Sequence, residues 1–139
     1  MQKLYIEQTR ITPEIKFSPD EKIFLICGVS SPEDVRALYY PVIEWTNIFV
    51  DDIIEGAVKI FDKESPVKLQ IDLSYFNSSS AKFIFDILTE FKRLQKSEVP
   101  LIVEWYHEQE DIDMRDAGTD IALLVEMEFV YIPKPRKEQ

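Results

Sequence analysis

Hydrophobic positions along the chain alternate with polar ones in several short stretches and recur at helical spacing in longer ones. Leu4 and Ile6 alternate with polar neighbours, residues 14–17 are short and mixed, and residues 23–27 are apolar. Ser18-Pro19-Asp20 supplies turn chemistry between the last two, so the start of the chain predicts small antiparallel strands. Ser31-Pro32-Glu33-Asp34 has the marks of a helix start: a serine cap, proline at the first helical position and acids in the first turn. At 100° per residue, Val35, Leu38, Tyr39, Val42, Thr46, Phe49, Ile53, Ala57 and Ile60 share one stripe, which predicts a continuous helix to about Asp62. Pro41 falls near the opposite side, where a kink towards solvent is tolerated.

Val67, Leu69, Ile71 and Leu73 alternate with Lys68, Gln70 and Asp72, the clearest strand in the chain. It runs through Tyr75-Phe76 into Asn77-Ser78-Ser79-Ser80, where a second helix is expected over about 79–96. That helix buries Phe83, Ile84, Ile87, Leu88, Phe91 and Leu94. On the other side of the wheel, Ser78, Lys82 and Phe85 form an outward line of a hydroxyl, a cation and an unburied aromatic, while Ser80 turns inward. A strand over 101–106 follows Pro100. An acidic segment over 108–120 then leads through Ile121, Leu123, Leu124 and Val125 to a last strand at 129–132. Residues 1–133 are expected to form one domain and residues 134–139 a polar tail that frays. Strands alternating with helices in this order predict an α/β fold, with a mixed sheet, parallel right-handed crossovers and helices packed mainly on one face.

With 139 residues, 45% of them hydrophobic, the chain is sized for one core. Its 26 acidic and 16 basic residues give a net charge of -10, which argues against nucleic acid and against anionic membranes. The lone Cys27 rules out an internal disulfide and a thiolate metal site, and is read as a small core residue. Neither a leader pattern nor a membrane span is evident, which makes the cytoplasm the expected compartment. Gly28, Gly56 and Gly118 are too scattered for a phosphate-binding loop, and no cofactor is implied. A small hydrolase would need His107 with a serine, but no nucleophile-elbow sequence surrounds Ser78; His107, at a strand's end, is expected either at the surface or in a supporting position behind other side chains. Asp111, Asp113, Asp116 and Asp120 lack the glycine position and closing glutamate of a calcium loop. They read as a solvated acidic face, whose functional version is a contact surface for a basic partner. The serine cluster at a helix start is the remaining chemistry. A hydroxyl there can cap the helix, and a phosphate would meet free N–H groups and partial positive charge.

Taken together, Thr12-Pro13-Glu14-Ile15, Ser31-Pro32-Glu33, Tyr40-Pro41-Val42-Ile43-Glu44-Trp45, residues 75–82, and Glu104-Trp105-Tyr106 followed by Asp111-Ile112-Asp113-Met114 and Gly118 resemble the SiaC family of bacterial regulatory phosphoproteins. The resemblance runs from about Leu4 to Ile132 and implies a fold similar to the STAS domain of anti-sigma-factor antagonists. It also implies Ser78 as the phosphoacceptor, and the outward face of the second helix, with Asn77, Ser78, Ser79, Lys82 and Phe85, is then expected to bind partners. The implied partners are a serine/threonine kinase of the histidine-kinase-like ATPase fold, a PP2C-type phosphatase, and a diguanylate cyclase activated by the unphosphorylated form, linking the switch to cyclic-di-GMP and biofilm formation. Serine stands here where threonine is common in the family, and Met127-Glu128-Phe129 where many relatives have proline before the phenylalanine. Relative to the Asp-Ser-Ser-Gly motif of anti-sigma-factor antagonists, Asn77 replaces aspartate and Ser80 replaces glycine, which makes a sigma-factor circuit the less favoured alternative.

Overall fold

The computed structural model describes residues 2–135. Six strands form one sheet in which spatial order follows chain order. β1 (Leu4–Ile6), β2 (Glu14–Ser18) and β3 (Ile23–Ser30) pair antiparallel. β4 (Val67–Phe76), β5 (Leu101–Glu108) and β6 (Val130–Lys134) continue the sheet in parallel. The parallel pairs are linked by α1 (Val35–Ile54), α2 (Ser78–Lys92) with a 3-10 turn (Arg93–Lys96), and α3 (Ile112–Val125). Right-handed crossovers that always step the sheet in one direction leave every helix on the same side, and α1 indeed packs on α2 and α2 on α3. This is the mixed α/β architecture, helices on one face, that the alternation predicts.

The core lies between the layers. Ile15, Phe17, Phe24, Ile26, Leu69, Ile71 and Trp105 from the sheet meet Tyr39, Phe49, Ile84 and Phe91 from the helices, all essentially inaccessible. Phe24 is its aromatic hub, in ring contact with Phe17, Trp45, Phe49, Phe61 and Phe91.

α1 differs from expectation at both ends. The Ser31 N–H is held by the Ile11 carbonyl at 2.7 Å, so Ser31 stays in the extended chain and Asp34 becomes the cap, its Oδ1 accepting from the Ala37 N–H at 3.1 Å. The helix stops at Ile54, not near Asp62. Gly56 takes φ +81°, and the Gly56 and Ala57 N–H groups bond back to the Ile53 and Asp52 carbonyls at 3.1 and 2.8 Å, a Schellman closure that L-residues enter reluctantly. Ending there lets Phe61 fold back into the core. Cys27 is half-buried, not a core residue: it lies on the uncovered sheet face, with Sγ 3.7 Å from Glu14 Oε1. At the other end, β6 runs through Lys134, one residue past the expected domain boundary, because its backbone stays paired with β5: Lys134 opposes Glu108 and its carbonyl accepts from the Gln109 N–H at 2.9 Å, while its Nζ reaches Asp72 Oδ1 at 2.6 Å. Residues 136–139 of the expected tail lie outside the described residues.

Candidate functional site around the start of helix 2

β4 reaches the serine cluster through a bulge. Leu73 opposes Gly28 and Tyr75 opposes Val29, so Ser74 is the extra residue, with its hydroxyl donating to the Gly28 carbonyl at 3.3 Å. The inserted residue reverses the alternation. Tyr75 is turned into solvent, and Phe76 is turned inward against the edge of Trp105, with centroids 6.0 Å apart. The Asn77 N–H then donates to the Ser30 carbonyl at 3.0 Å, fixing the chain where α2 begins.

Asn77 is the cap. Its Oδ1 accepts from the Ser80 N–H at 2.9 Å and from the Ser79 hydroxyl at 3.1 Å, and its carbonyl takes the Ala81 N–H at 3.0 Å. The three serines therefore have different fates. Ser80 is fully buried: its hydroxyl donates to the Ser30 carbonyl at 3.1 Å and accepts from Ser30 Oγ at 2.8 Å, while Ser30 Oγ lies 2.6 Å from Tyr39 Oη. Burial raises the Tyr39 pKa, and the hydroxyls of Ser30 and Ser80 partly offset it. Ser79 is exposed but tied to Asn77. Ser78, the first residue of the helix, is exposed, and its hydroxyl has no hydrogen-bond partner among the described residues.

One turn on, Lys82 Nζ pairs with Asp86 Oδ2 at 2.7 Å and sits 4.8 Å from the Phe83 ring centroid. Phe83 stacks on Tyr39 and meets the edge of the exposed Tyr40, at 5.7 and 5.6 Å. A shallow groove of about 500 Å³ between α1 and α2 follows, lined by Tyr40, Ile43, Glu44, Asp86 and Glu90. Ser78 and Lys82 thus share an exposed face as expected. Phe85 does not stand free beside them. It is half-buried against the core cluster, because α2 lies between α1 and α3 and its buried arc is wider than one stripe.

Residues 6–134 match the family model of SiaC regulatory phosphoproteins. The chain belongs to the SiaC family. It is 28% identical over 109 residues to an uncharacterised protein of Pseudomonas aeruginosa strain UCBPP-PA14, covering 78% of this chain and 79% of that one. Apo-SiaC from Pseudomonas aeruginosa is a structural neighbour at 25% identity and TM-score 0.69, with 96% of this chain and 99% of that one covered. The SiaC of Pseudomonas aeruginosa solved in complex with the diguanylate cyclase SiaD, whose activator it is, has the same fold, at TM-score 0.76 and 23% identity over 96% of this chain and 99% of that one.

His107 and the acidic segment, both singled out for other chemistry, take different places in this SiaC-family chain. His107 is buried, not at the surface: it follows Val103 and Trp105 on the helix-facing side of β5, and its Nδ1–H donates to the Glu108 carbonyl at 2.8 Å. Its partner is thus backbone, not a serine. From Ile112 on, the acidic segment forms the first part of α3, and Asp111 caps the helix by accepting from the Met114 N–H at 3.0 Å. Among the described residues no group of three or more His, Cys, Asp and Glu side chains is arranged to hold a metal, and no helix is long and apolar enough to cross a membrane. Sequence reasoning missed Ser30, Tyr39 and the Ser74 bulge, which hold the serine cluster in place. The only available signal was a lone serine ending an apolar strand.

Proposed function

We propose that this chain is a non-enzymatic partner-switching regulator with Ser78 as its phosphoacceptor. In its unphosphorylated form it docks on and activates a diguanylate cyclase through the face formed by Asn77, Ser78, Ser79 and Lys82, with the half-buried Phe85 at its margin. The observation that carries the proposal is the division of labour among the serines: Ser80 is spent in the core, Ser79 is spent on the cap, and Ser78 presents a free hydroxyl to solvent. A kinase of the histidine-kinase-like ATPase fold would add the phosphate and a PP2C-type phosphatase would remove it, with the circuit in the cytoplasm. The cyclase as target is supported by the Pseudomonas aeruginosa SiaC in complex with SiaD.

The physics is local. A phosphate adds about -1.5 to -2 charge beside the free N–H groups of a helix start, where a negative group gains about 0.3–1 kcal/mol, so the fold tolerates it. Lys82 is within reach one turn away. Its exposed bond to Asp86 belongs to a class of i,i+4 pairs that contribute only about 0.3–0.5 kcal/mol, so a dianion can take the ammonium over. A partner surface made for a neutral hydroxyl then meets a dianion and a released Asp86 carboxylate, and every 1.4 kcal/mol of mismatch is about tenfold in affinity.

Peptide mass spectrometry of protein isolated from its own host, with phosphatases inhibited, is the first test, and phosphate is expected on Ser78. Titration of purified cyclase with Ser78→Ala and Ser78→Asp is the second, with only the alanine variant binding and activating. Equal activation by both variants, or phosphate found only on other residues, refutes the proposal.

A further inference from the structure

α3 buries one side and leaves a second apolar side in water. Met114, Gly118, Ile121, Ala122 and Val125 face the sheet, and the helix is pinned there by Trp105 Nε1 donating to the Met114 carbonyl at 2.9 Å. At 100° per residue, Ile112, Leu123 and Leu124 gather on the outer side. Their exposures are 57, 72 and 70%, and no other large hydrophobic among the described residues is as exposed as either leucine. Asp113, Asp116 and Asp120 fall within the same arc and are also exposed, while Arg115 at its margin is turned towards Asp116 at 3.6 Å. Leu123 continues into a groove of about 310 Å³ formed with Met127, Phe129 and Tyr131, rimmed by Glu128.

Charge and backbone chemistry narrow what can cover this surface. A second copy would bring the same carboxylates to the contact, in a chain of net charge -10, and like charges placed face to face oppose association. An added strand is disfavoured too. The Gln109 N–H bonds to the Lys134 carbonyl at 2.9 Å, which turns Val130, Ile132 and Lys134 towards β5 and leaves Tyr131 and Pro133 on the outer edge, where proline has no N–H to offer. Apolar anchors threaded with carboxylates match a cationic amphipathic helix.

We propose that the outer face of α3, through Ile112, Leu123 and Leu124 with Asp113, Asp116 and Asp120, is a second docking surface that receives a basic amphipathic helix of a partner protein. It is carried by a different helix from Ser78 and does not depend on phosphorylation.

The test uses the full chain and a fluorescein-labelled synthetic Leu/Lys amphipathic helix of about 18 residues, long enough to fold on contact, with its Leu/Glu counterpart as control. Fluorescence anisotropy should show binding of the lysine peptide alone, with amide shifts confined to α3 and the 127–131 segment. Leu123→Ser with Leu124→Ser should weaken binding about tenfold or more, and Asp116→Asn with Asp120→Asn should weaken it and flatten its salt dependence. All four positions are exposed, so unchanged thermal unfolding of each double variant serves as the fold control. No binding of the lysine peptide, binding indifferent to the two leucines, or shifts spread over the whole acidic surface overturns the proposal. So does self-association in sedimentation that the Leu123→Ser, Leu124→Ser variant abolishes, since that would make a second copy the occupant.

Discussion

Gly118 lies in the middle of α3, where helix propensity alone says that alanine should be better by about 1 kcal/mol. The surroundings reverse that sign. A Cβ at Gly118 would lie 2.5 Å from Trp105 Nε1, 2.6 Å from Cδ1 and 2.7 Å from Cε2. The indole cannot swing aside: it is fully buried, stacked on Phe129 at 5.8 Å, met edge-on by Phe76, and bonded through Nε1 to the Met114 carbonyl. Relief requires α3 to lift off the sheet. Overpacking of this kind costs about 1–3 kcal/mol, and losing the buried indole bond adds about 1–3 kcal/mol. After the propensity gain, Gly118→Ala should cost about 1–5 kcal/mol, a large share of the roughly 5–15 kcal/mol that holds a domain together. Urea unfolding followed by far-UV circular dichroism measures it, and the midpoint should fall with little change in slope. The same substitution in a Trp105→Phe background should cost much less, since the clashing five-membered ring is gone. A midpoint that is unchanged or raised by Gly118→Ala would refute the steric account.

Three further outcomes follow from the same structure. Ser80→Ala should cost about 1–3 kcal/mol in urea unfolding because the Ser30 hydroxyl loses its buried acceptor, whereas Ser79→Ala should be nearly neutral; equal effects would contradict the different roles assigned to them. Glu126 closes α3 at φ +56°, a left-handed position that costs an L-residue about 1–2 kcal/mol, so Glu126→Gly should raise the unfolding midpoint. Burial and the neighbouring Glu14 carboxylate push the Cys27 thiol up to about 11 from 9.0, so the fold favours its protonated form. The stability this contributes is present below pH 9 and is lost as pH rises through about 11. Iodoacetamide should therefore react about 100-fold more slowly than with an unperturbed thiol at pH 8, and a rate that levels off below pH 9 would contradict it.

Much of the fold was legible because it is written in local periods. The alternation in β4 and the helical stripe in α2 each specify a buried face without reference to anything else. α1 was over-extended because Ala57 and Ile60 continue the stripe, and hydrophobic spacing does not register that Gly56 can close the helix and free Phe61 for the core. Its start was misplaced for a different reason: Ser31 has good capping chemistry, but its N–H is claimed by Ile11 from another part of the chain. The candidate site divides the same way. Asn77 and Ser78 obey helix-start rules that span four residues. The anchoring role of Ser30 and Tyr39, the burial of His107 on the helix-facing side of β5, and the half-buried state of Phe85 all depend on which elements become neighbours, and no local pattern carries that information.

The strand order bears on how the molecule is made. Each strand's earlier neighbour is the strand that precedes it in the chain, so none is inserted between partners that are already paired. Pairings of short sequence separation lose little entropy on closure and form quickly, and a chain leaving the ribosome can add them one by one from its N-terminus. β3 is waiting as a template when β4 emerges, and the Ser30 carbonyl that receives Asn77 is already in position. The serine cluster can therefore settle on the growing sheet before α3 and β6 have been synthesised.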